Sequence, residues 1–375
     1  MALQGFATTE GTARYRDRLG GIVAENHFRF EQQLWLTSIG VGTYLGGWDE
    51  ETDRAYAEAV TRAVGLGANV IDTASNYRFQ RSERSIGDAL REITKRGMFS
   101  REEIVVCTKG GYIPFDGEPP KGKAAVRSYV EETFVRSGIA AFEDFAAGGH
   151  CMTPRYISHQ VGQSLSNMGL ETVDVYYVHN PETQLSVVTR EEFENRLRAA
   201  FEQLEKERAE GRIKYYGVAT WNGFRTAPDA KDYHSLERMS ELAREVGGEG
   251  HGFRFVQLPY NLVMREARDL NNQSYMGAYL SLLEVAQALA VTVVASASIM
   301  QGRVARDLPV HIREPLGSLA TDAQTAVQFV RSTPGVTTAL VGMSRTSHVK
   351  ENLQLSRVAP VSAETYSRLL LLDVE

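Results

Sequence analysis

The sequence predicts an α/β fold, a (β/α)8 barrel of the TIM type, with an N-terminal extension over residues 1–36 and a long insertion over 110–153 after its third strand. Two observations lead there: eight short, nearly uninterrupted apolar runs, and stretches of helical periodicity between them. Strands buried on both faces read as continuous apolar runs, and their strict alternation with helices implies right-handed βαβ units, eight of which close a barrel. A doubly wound open sheet is the alternative. It ordinarily carries GxGxxG after its first strand, and that fingerprint is absent.

The runs fall at 39–42, 70–72, 104–108, 173–178, 214–219, 253–258, 291–296 and 337–342. Between them, Ile157, Val161, Leu165 and Met168 share one helical stripe, as do Phe193, Leu197, Phe201 and Leu204. Thr189 with Glu192 and Thr321 with Gln324 have capping-box spacing, and Thr153-Pro154 offers a cap followed by proline in the first helical position. The extension and the insertion fall outside the repeat, yet neither reads as a separate domain, so residues 1–375 are taken as a single barrel. The insertion holds Tyr112, Phe115, Tyr129, Phe134, Phe142 and Phe145. A connection that long is functional or disordered, and its aromatic content argues for an ordered lid over the active-site mouth. Lys121-Gly122-Lys123, beside Pro119-Pro120, reads as a solvated loop.

The composition, with 43% hydrophobic and 23% charged residues in a chain of 375, supports a large buried core. A net charge of -6 gives no electrostatic reason to expect nucleic acid. The two cysteines, Cys107 and Cys151, form neither a disulfide framework nor a CxxC pair, which favours a reducing compartment. Residues 1–10 lack a basic segment followed by an apolar run, and no stretch of about 18 apolar residues occurs, so a soluble, cytoplasmic protein without membrane partners is expected. No heptad seam marks an oligomer, and the oligomeric state is not legible.

In barrels of this kind the chemistry sits at the C-terminal mouth of the strands. Asp72 ends the second run, Lys109 follows the third and His179 follows the fourth. Singly, each has a plainer explanation: a turn or capping aspartate, a surface lysine, a loop histidine. Their joint position at three strand ends makes those explanations weaker.

The run Val70-Ile71-Asp72-Thr73-Ala74-Ser75-Asn76-Tyr77, then Ser82-Glu83 and Ile86-Gly87-Asp88-Ala89-Leu90, resembles the signature of the aldo-keto reductases. Gly40-Val41-Gly42-Thr43-Tyr44 is similar to that family's first strand, Val106-Cys107-Thr108-Lys109 to its lysine strand and Val173-Asp174-Val175-Tyr176-Tyr177-Val178-His179-Asn180-Pro181 to its histidine strand. Gly217-Val218-Ala219-Thr220, Val256-Gln257-Leu258-Pro259-Tyr260-Asn261 and Val341-Gly342-Met343-Ser344-Arg345, with Glu351-Asn352, resemble its later cofactor strands, in matching order from about 39 to 355.

The resemblance implies reduction of an aldehyde or ketone to an alcohol, or the reverse, with Asp72, Tyr77, Lys109 and His179 as the catalytic group. Tyr77 is the implied acid or base. A tyrosine ordinarily titrates near pH 10, so a neighbouring positive charge, Lys109 held by Asp72, is expected to help it, while His179 orients the carbonyl. The hydride requires a nicotinamide cofactor. By resemblance its binding residues are Gly42, Thr43, Tyr44 and Asp72, then Ala219, Thr220 and Gln257 for the carboxamide, and Ser296, Gln301 and Arg303 after the seventh strand. Gly342 and His348 are cofactor positions by the same resemblance, Ser344 and Arg345 would hold the 2′-phosphate, favouring NADP(H) over NAD(H), and Glu351 and Asn352 the adenine. Many relatives carry Ser-Asn in place of Ala219-Thr220, a stacking tyrosine in place of Ser296 and an arginine in place of His348. Trp48, Tyr77, His179 and Trp221 are the expected substrate contacts, for a bulky or polyhydroxylated small molecule.

Two rivals stand beside this reading. One is a cofactor-binding regulatory subunit on the same barrel without turnover, since fold alone does not prove catalysis. The other is a metal-dependent barrel hydrolase using His150, Cys151, His159, His179 and His251, weakened by the absence of HxH and HExxH spacings; no metal site is expected.

Overall fold

The computed structural model describes residues 2–372. All eight expected runs become strands of one closed parallel barrel: β3 (Ile39–Gly42), β4 (Val70–Asp72), β5 (Val105–Gly110), β6 (Val173–His179), β7 (Ile213–Ala219), β8 (Phe253–Pro259), β11 (Thr292–Ser296) and β12 (Val336–Gly342). The order around the barrel is sequential, with β8 pairing to β11 and β12 returning to β3. Helices cover the outside, and a large apolar layer fills the space between them and the strands.

Two antiparallel hairpins were not legible in the sequence: β1 (Phe28–Glu31) with β2 (Leu34–Thr37), and β9 (Gln273–Tyr275) with β10 (Ala278–Leu280). Each turns on two residues of positive φ, Gln32 and Gln33 in the first, Met276 and Gly277 in the second. Such turns usually announce themselves with Asn-Gly or Asp-Gly, and these do not. The first hairpin closes the barrel's lower end. Leu34 and Leu36, with Ala7, join Val70, Val105, Val175, Phe255, Val294 and Leu340 in the interior cluster.

Below that cluster Asp174 is almost wholly buried and fully occupied. It accepts from Arg101 at 2.7 Å, from the Val106 N–H at 2.7 Å and from the Ala7 N–H at 2.6 Å, tying the N-terminal segment to β5 and β6.

The predicted helix starts at Thr189 and Thr321 are caps, each hydroxyl accepting from the backbone N–H three residues on. Thr153 also precedes its helix, but its hydroxyl caps nothing and lies 3.5 Å from the Cys151 sulfur. Lys121-Gly122-Lys123 is exposed but forms the start of a helix, Gly122–Val130, rather than a loop. That helix and the turns after it give the insertion a small core of its own, with Phe134 fully buried between Phe145 and Tyr156. Its aromatic residues therefore pack mainly on one another and on the helix Pro154–Met168. Tyr112 alone among them packs edge-on against His179.

Candidate active site

Asp72, Lys109 and His179 lie at the ends of three adjacent strands, β4, β5 and β6. The Lys109 ammonium is fully buried, donating to Asp72 Oδ1 at 2.5 Å and to the Thr73 carbonyl at 2.8 Å. The other Asp72 oxygen accepts from Gln257 Nε2 of β8 at 2.8 Å. Across the mouth of the barrel, Tyr77 brings its ring to 5.1 Å from Lys109 Nζ and 5.8 Å from the His179 ring.

Tyr77 reaches this place because the turn after β4 is tightly tied. The Ser75 N–H donates to the Lys109 carbonyl at 3.0 Å, the Tyr77 N–H to the Ala74 carbonyl at 3.1 Å, and the Thr73 hydroxyl to Ser82 Oγ at 3.0 Å. Arg78, Phe79 and Gln80 all take positive φ, of 48°, 57° and 69°, a costly run for residues with side chains. Arg78 secures it by donating to the Gly47 carbonyl and pairing with Asp53.

Burial is the strongest influence and works to lower the Lys109 pKa, but Asp72, through its charge and its hydrogen bond, acts together with Tyr77 and Cys107 to make the net shift upward, so the ammonium persists. Burial raises Asp72, opposed by Lys109 and Gln257. Tyr77 departs from the expectation. Burial lifts its phenol above the ordinary value and the pull of Lys109 offsets that only in part, so the side chain stands as a protonated acid. His179 is driven well below its ordinary value, first by burial and then by the Lys109 charge, and is a neutral imidazole. Its Nδ1 has no hydrogen-bond partner.

The remaining expected residues line the same end of the barrel with different commitments. Gly42 ends β3; Thr43 donates to the Asp72 carbonyl at 3.0 Å, and the exposed Tyr44 packs edge-on to Tyr77 at 4.9 Å. The Ala219 carbonyl accepts from the Asn180 N–H at 2.6 Å. Thr220 is buried and already engaged. Its hydroxyl donates to Glu182 at 2.7 Å and accepts from the Gly223 N–H at 2.8 Å. Glu182 also receives the N–H groups of Trp221 at 2.8 Å and Asn222 at 3.1 Å; burial favours its neutral form, yet His234, then Thr220 and the Asn222 N–H, bring its pKa down to about 2. This carboxylate organises the loop after β7, and no sequence signal marks it, because its partners lie about 40 residues away.

Ser296 ends β11, and its carbonyl accepts from the Tyr260 N–H at 3.0 Å, while Gln301 and Arg303 are exposed in the loop beyond. Gly342 ends β12. Ser344 is half-buried and Arg345 and His348 are exposed at the N-terminal turn of the helix Thr346–Leu353. The Glu351 carboxylate accepts from the Thr321 hydroxyl at 2.8 Å, whereas Asn352 Oδ1 is buried with no partner. Trp48 and Trp221 are exposed, Trp48 resting on Phe79 at 5.4 Å. Of the side chains considered as metal ligands, His150 donates to the His179 carbonyl, Cys151 lies by Thr153, His159 packs on Phe134 and His251 lies by Arg254. Among the described residues no group of three or more is placed to hold a metal ion. No helix among them is long and apolar enough to cross a membrane.

Comparison with known proteins agrees with this architecture. Residues 38–372 match the model of the aldo/keto reductase family, and the chain belongs to that family. Among curated relatives, it is 30% identical over 189 residues to a D-threo-aldose 1-dehydrogenase of a Pseudomonas species, covering 50% of this chain and 49% of that protein. It is 27% identical over 151 residues to the NADH-specific methylglyoxal reductase of Escherichia coli, covering 39% of each. The matched stretches thus span half or less of those relatives. Among solved structures, a Klebsiella pneumoniae aldo/keto reductase in complex with NADP and acetate superposes with a TM-score of 0.60 at 22% identity, covering 93% of this chain and 95% of that one. A glycerol dehydrogenase from Gluconobacter oxydans gives 0.64 at 20% identity over the same shares.

Proposed function

We propose that the protein is a nicotinamide-dependent oxidoreductase that interconverts a small-molecule carbonyl compound and its alcohol. One observation carries this reading: a buried ammonium, clamped by a carboxylate, lies beneath a protonated phenol that faces a neutral imidazole across the mouth of the barrel. The cofactor, when bound, supplies or accepts the hydride. Tyr77 donates its proton to the carbonyl oxygen as charge builds there, and Lys109 stabilises the phenolate left behind. Asp72 holds the ammonium in place and orients Gln257. An imidazole without charge lets His179 polarise the carbonyl without competing as the acid. In the reverse direction Tyr77 takes a proton from the alcohol.

The donor set at the far end suits a nicotinamide dinucleotide phosphate. Asn352 has a buried amide oxygen free for an adenine amino group, and Arg345 and Ser344 sit at a helix N-terminus where a phosphate is favoured. The relatives named above include one called NADH-specific and a structure holding NADP, and the exposed Arg345 tips our reading toward NADP(H). The exposed aromatic side chains of Tyr44, Trp48 and Trp221 favour a bulky or polyhydroxylated substrate.

A panel of aldehydes, ketones, sugars and alcohols assayed with each nicotinamide cofactor is expected to give turnover that Tyr77→Phe removes. Undiminished turnover in that variant would refute the assignment. Cofactor binding with no turnover on any compound would instead support the regulatory-subunit alternative.

A further inference from the structure

The two ends of the insertion meet at its root. Tyr112 and His150 pair as an antiparallel bridge, the Ile113 N–H donates to the Gly149 carbonyl at 3.0 Å, and the Cys151 N–H donates to the Gly111 carbonyl at 2.8 Å. This presses the fully buried His150 against the end of β6, with its Nε2 at 2.7 Å from the carbonyl oxygen of His179.

The direction of that contact is fixed by the groups behind it. Arg196 Nη1 lies 2.6 Å from Gln184 Oε1, and a guanidinium only donates, so the Gln184 oxygen faces it. The Gln184 amide nitrogen therefore faces His150, reaching Nδ1 at 2.9 Å and the His150 carbonyl at 2.8 Å. Nδ1 must accept, which leaves the proton on Nε2, and the His179 carbonyl can only receive it. Each link in the series, Arg196 to Gln184, Gln184 to His150 and His150 to His179, thus sets a donor on an acceptor.

His179 itself has no such anchor on its ring, because Nδ1 is unpartnered. Its ring is set by its backbone and by the walls around it. Tyr112 forms one wall, nearly perpendicular to His179 at 5.4 Å and to His150 at 5.1 Å. Gly111, at φ 147°, permits the close approach: a Cβ there would stand 2.7 Å from His150 Nε2 and 3.0 Å from the His179 carbonyl oxygen.

Resting on the function proposed above, we infer that His150 is a positioning residue. Its Nε2–H pins the backbone of His179, and so sets the imidazole against Tyr77 and the substrate carbonyl. The root of the insertion is in this way part of the catalytic geometry.

The test compares His150→Ala with His150→Gln, whose amide can present an N–H near the place of Nε2. In His150→Ala, kcat should fall by about tenfold or more while KM for the carbonyl compound stays within about twofold, since a small misplacement of a reacting group costs rate more than binding. His150→Gln should recover most of the loss. A second readout needs no turnover: in 15N-histidine NMR spectra without substrate, the His179 ring signals should move in His150→Ala and return in His150→Gln. Wild-type kcat, or unmoved His179 signals, in a folded His150→Ala protein would overturn the inference. Should that variant not fold, Gln184→Met removes the donor to Nδ1. It should shift the His150 and His179 signals in the same sense, and spectra identical to wild type would be equally decisive. A wild-type protein inactive on every compound would sink the functional reading while the NMR comparison still judged His150.

Discussion

The two ends of the barrel each bury an ion pair, and they use it differently. At the lower end Arg101 meets Asp174 at 2.7 Å, and at the mouth Lys109 meets Asp72 at 2.5 Å. Asp174 takes three donors from separate stretches of the chain, and Arg101 also donates to the Ile104 and Thr172 carbonyls, leaving only its Nε without a partner. The pair at the mouth adjoins groups left unsatisfied or strained: His179 Nδ1 without a partner, a phenol raised above its ordinary value, and three consecutive residues of positive φ. A buried pair that gathers donors and acceptors from several segments fastens elements together; one beside an unpartnered imidazole and a protonated phenol keeps a charge ready for chemistry.

That contrast can be broken first at Tyr77. Tyr77→Phe should lower kcat by about 10³-fold or more, the usual range for a general acid, while the unfolding temperature stays close to wild type. A large loss of stability would show the mouth to be structural after all. Next comes Arg101→Met, which leaves Asp174 charged and buried. It should cost about 3 to 5 kcal/mol in denaturant unfolding with kcat/KM nearly unchanged in the folded fraction.

Acid should weaken both ends together. Burial holds the pKa of His27 at the lower end down to about 3, and that of His150 near the mouth down to about 4, both below the ordinary 6.5. Between those values the unfolded chain binds protons that the folded chain refuses. Stability should therefore be complete above about pH 6.5 and decline as pH falls toward 4, with a shallower decline in His27→Gln. An equally steep decline would remove His27 from the account. The smallest effect is expected at the cofactor end. Arg345→Met should weaken NADPH binding by about tenfold and NADH binding little, as loss of one cation facing a phosphate predicts; equal losses would argue against a 2′-phosphate site.

Much of this is legible in the order of the residues. The eight barrel strands lie within a residue or two of the apolar runs, because strands buried on both faces are largely apolar along their length. Asp72, Lys109 and His179 were visible as polar residues breaking those runs at their C-terminal ends. Tyr77 was found through its spacing from Asp72 and the family signature, since a residue in a turn has no periodicity to betray it. The hairpins were missed because Gln32-Gln33 and Met276-Gly277 do not look like hairpin turns.

The barrel, the order of its strands and the ionisable residues that end them follow from local hydrophobic pattern and chain connectivity, and so can be read from the residues in order. How those residues behave is set by contacts that exist only in the folded chain. Glu182 ties up Thr220, His150 pins the carbonyl of His179, and burial outweighs Lys109 at the Tyr77 phenol. Each depends on distance and desolvation between groups far apart in the chain, and neither quantity is written in the order of the residues.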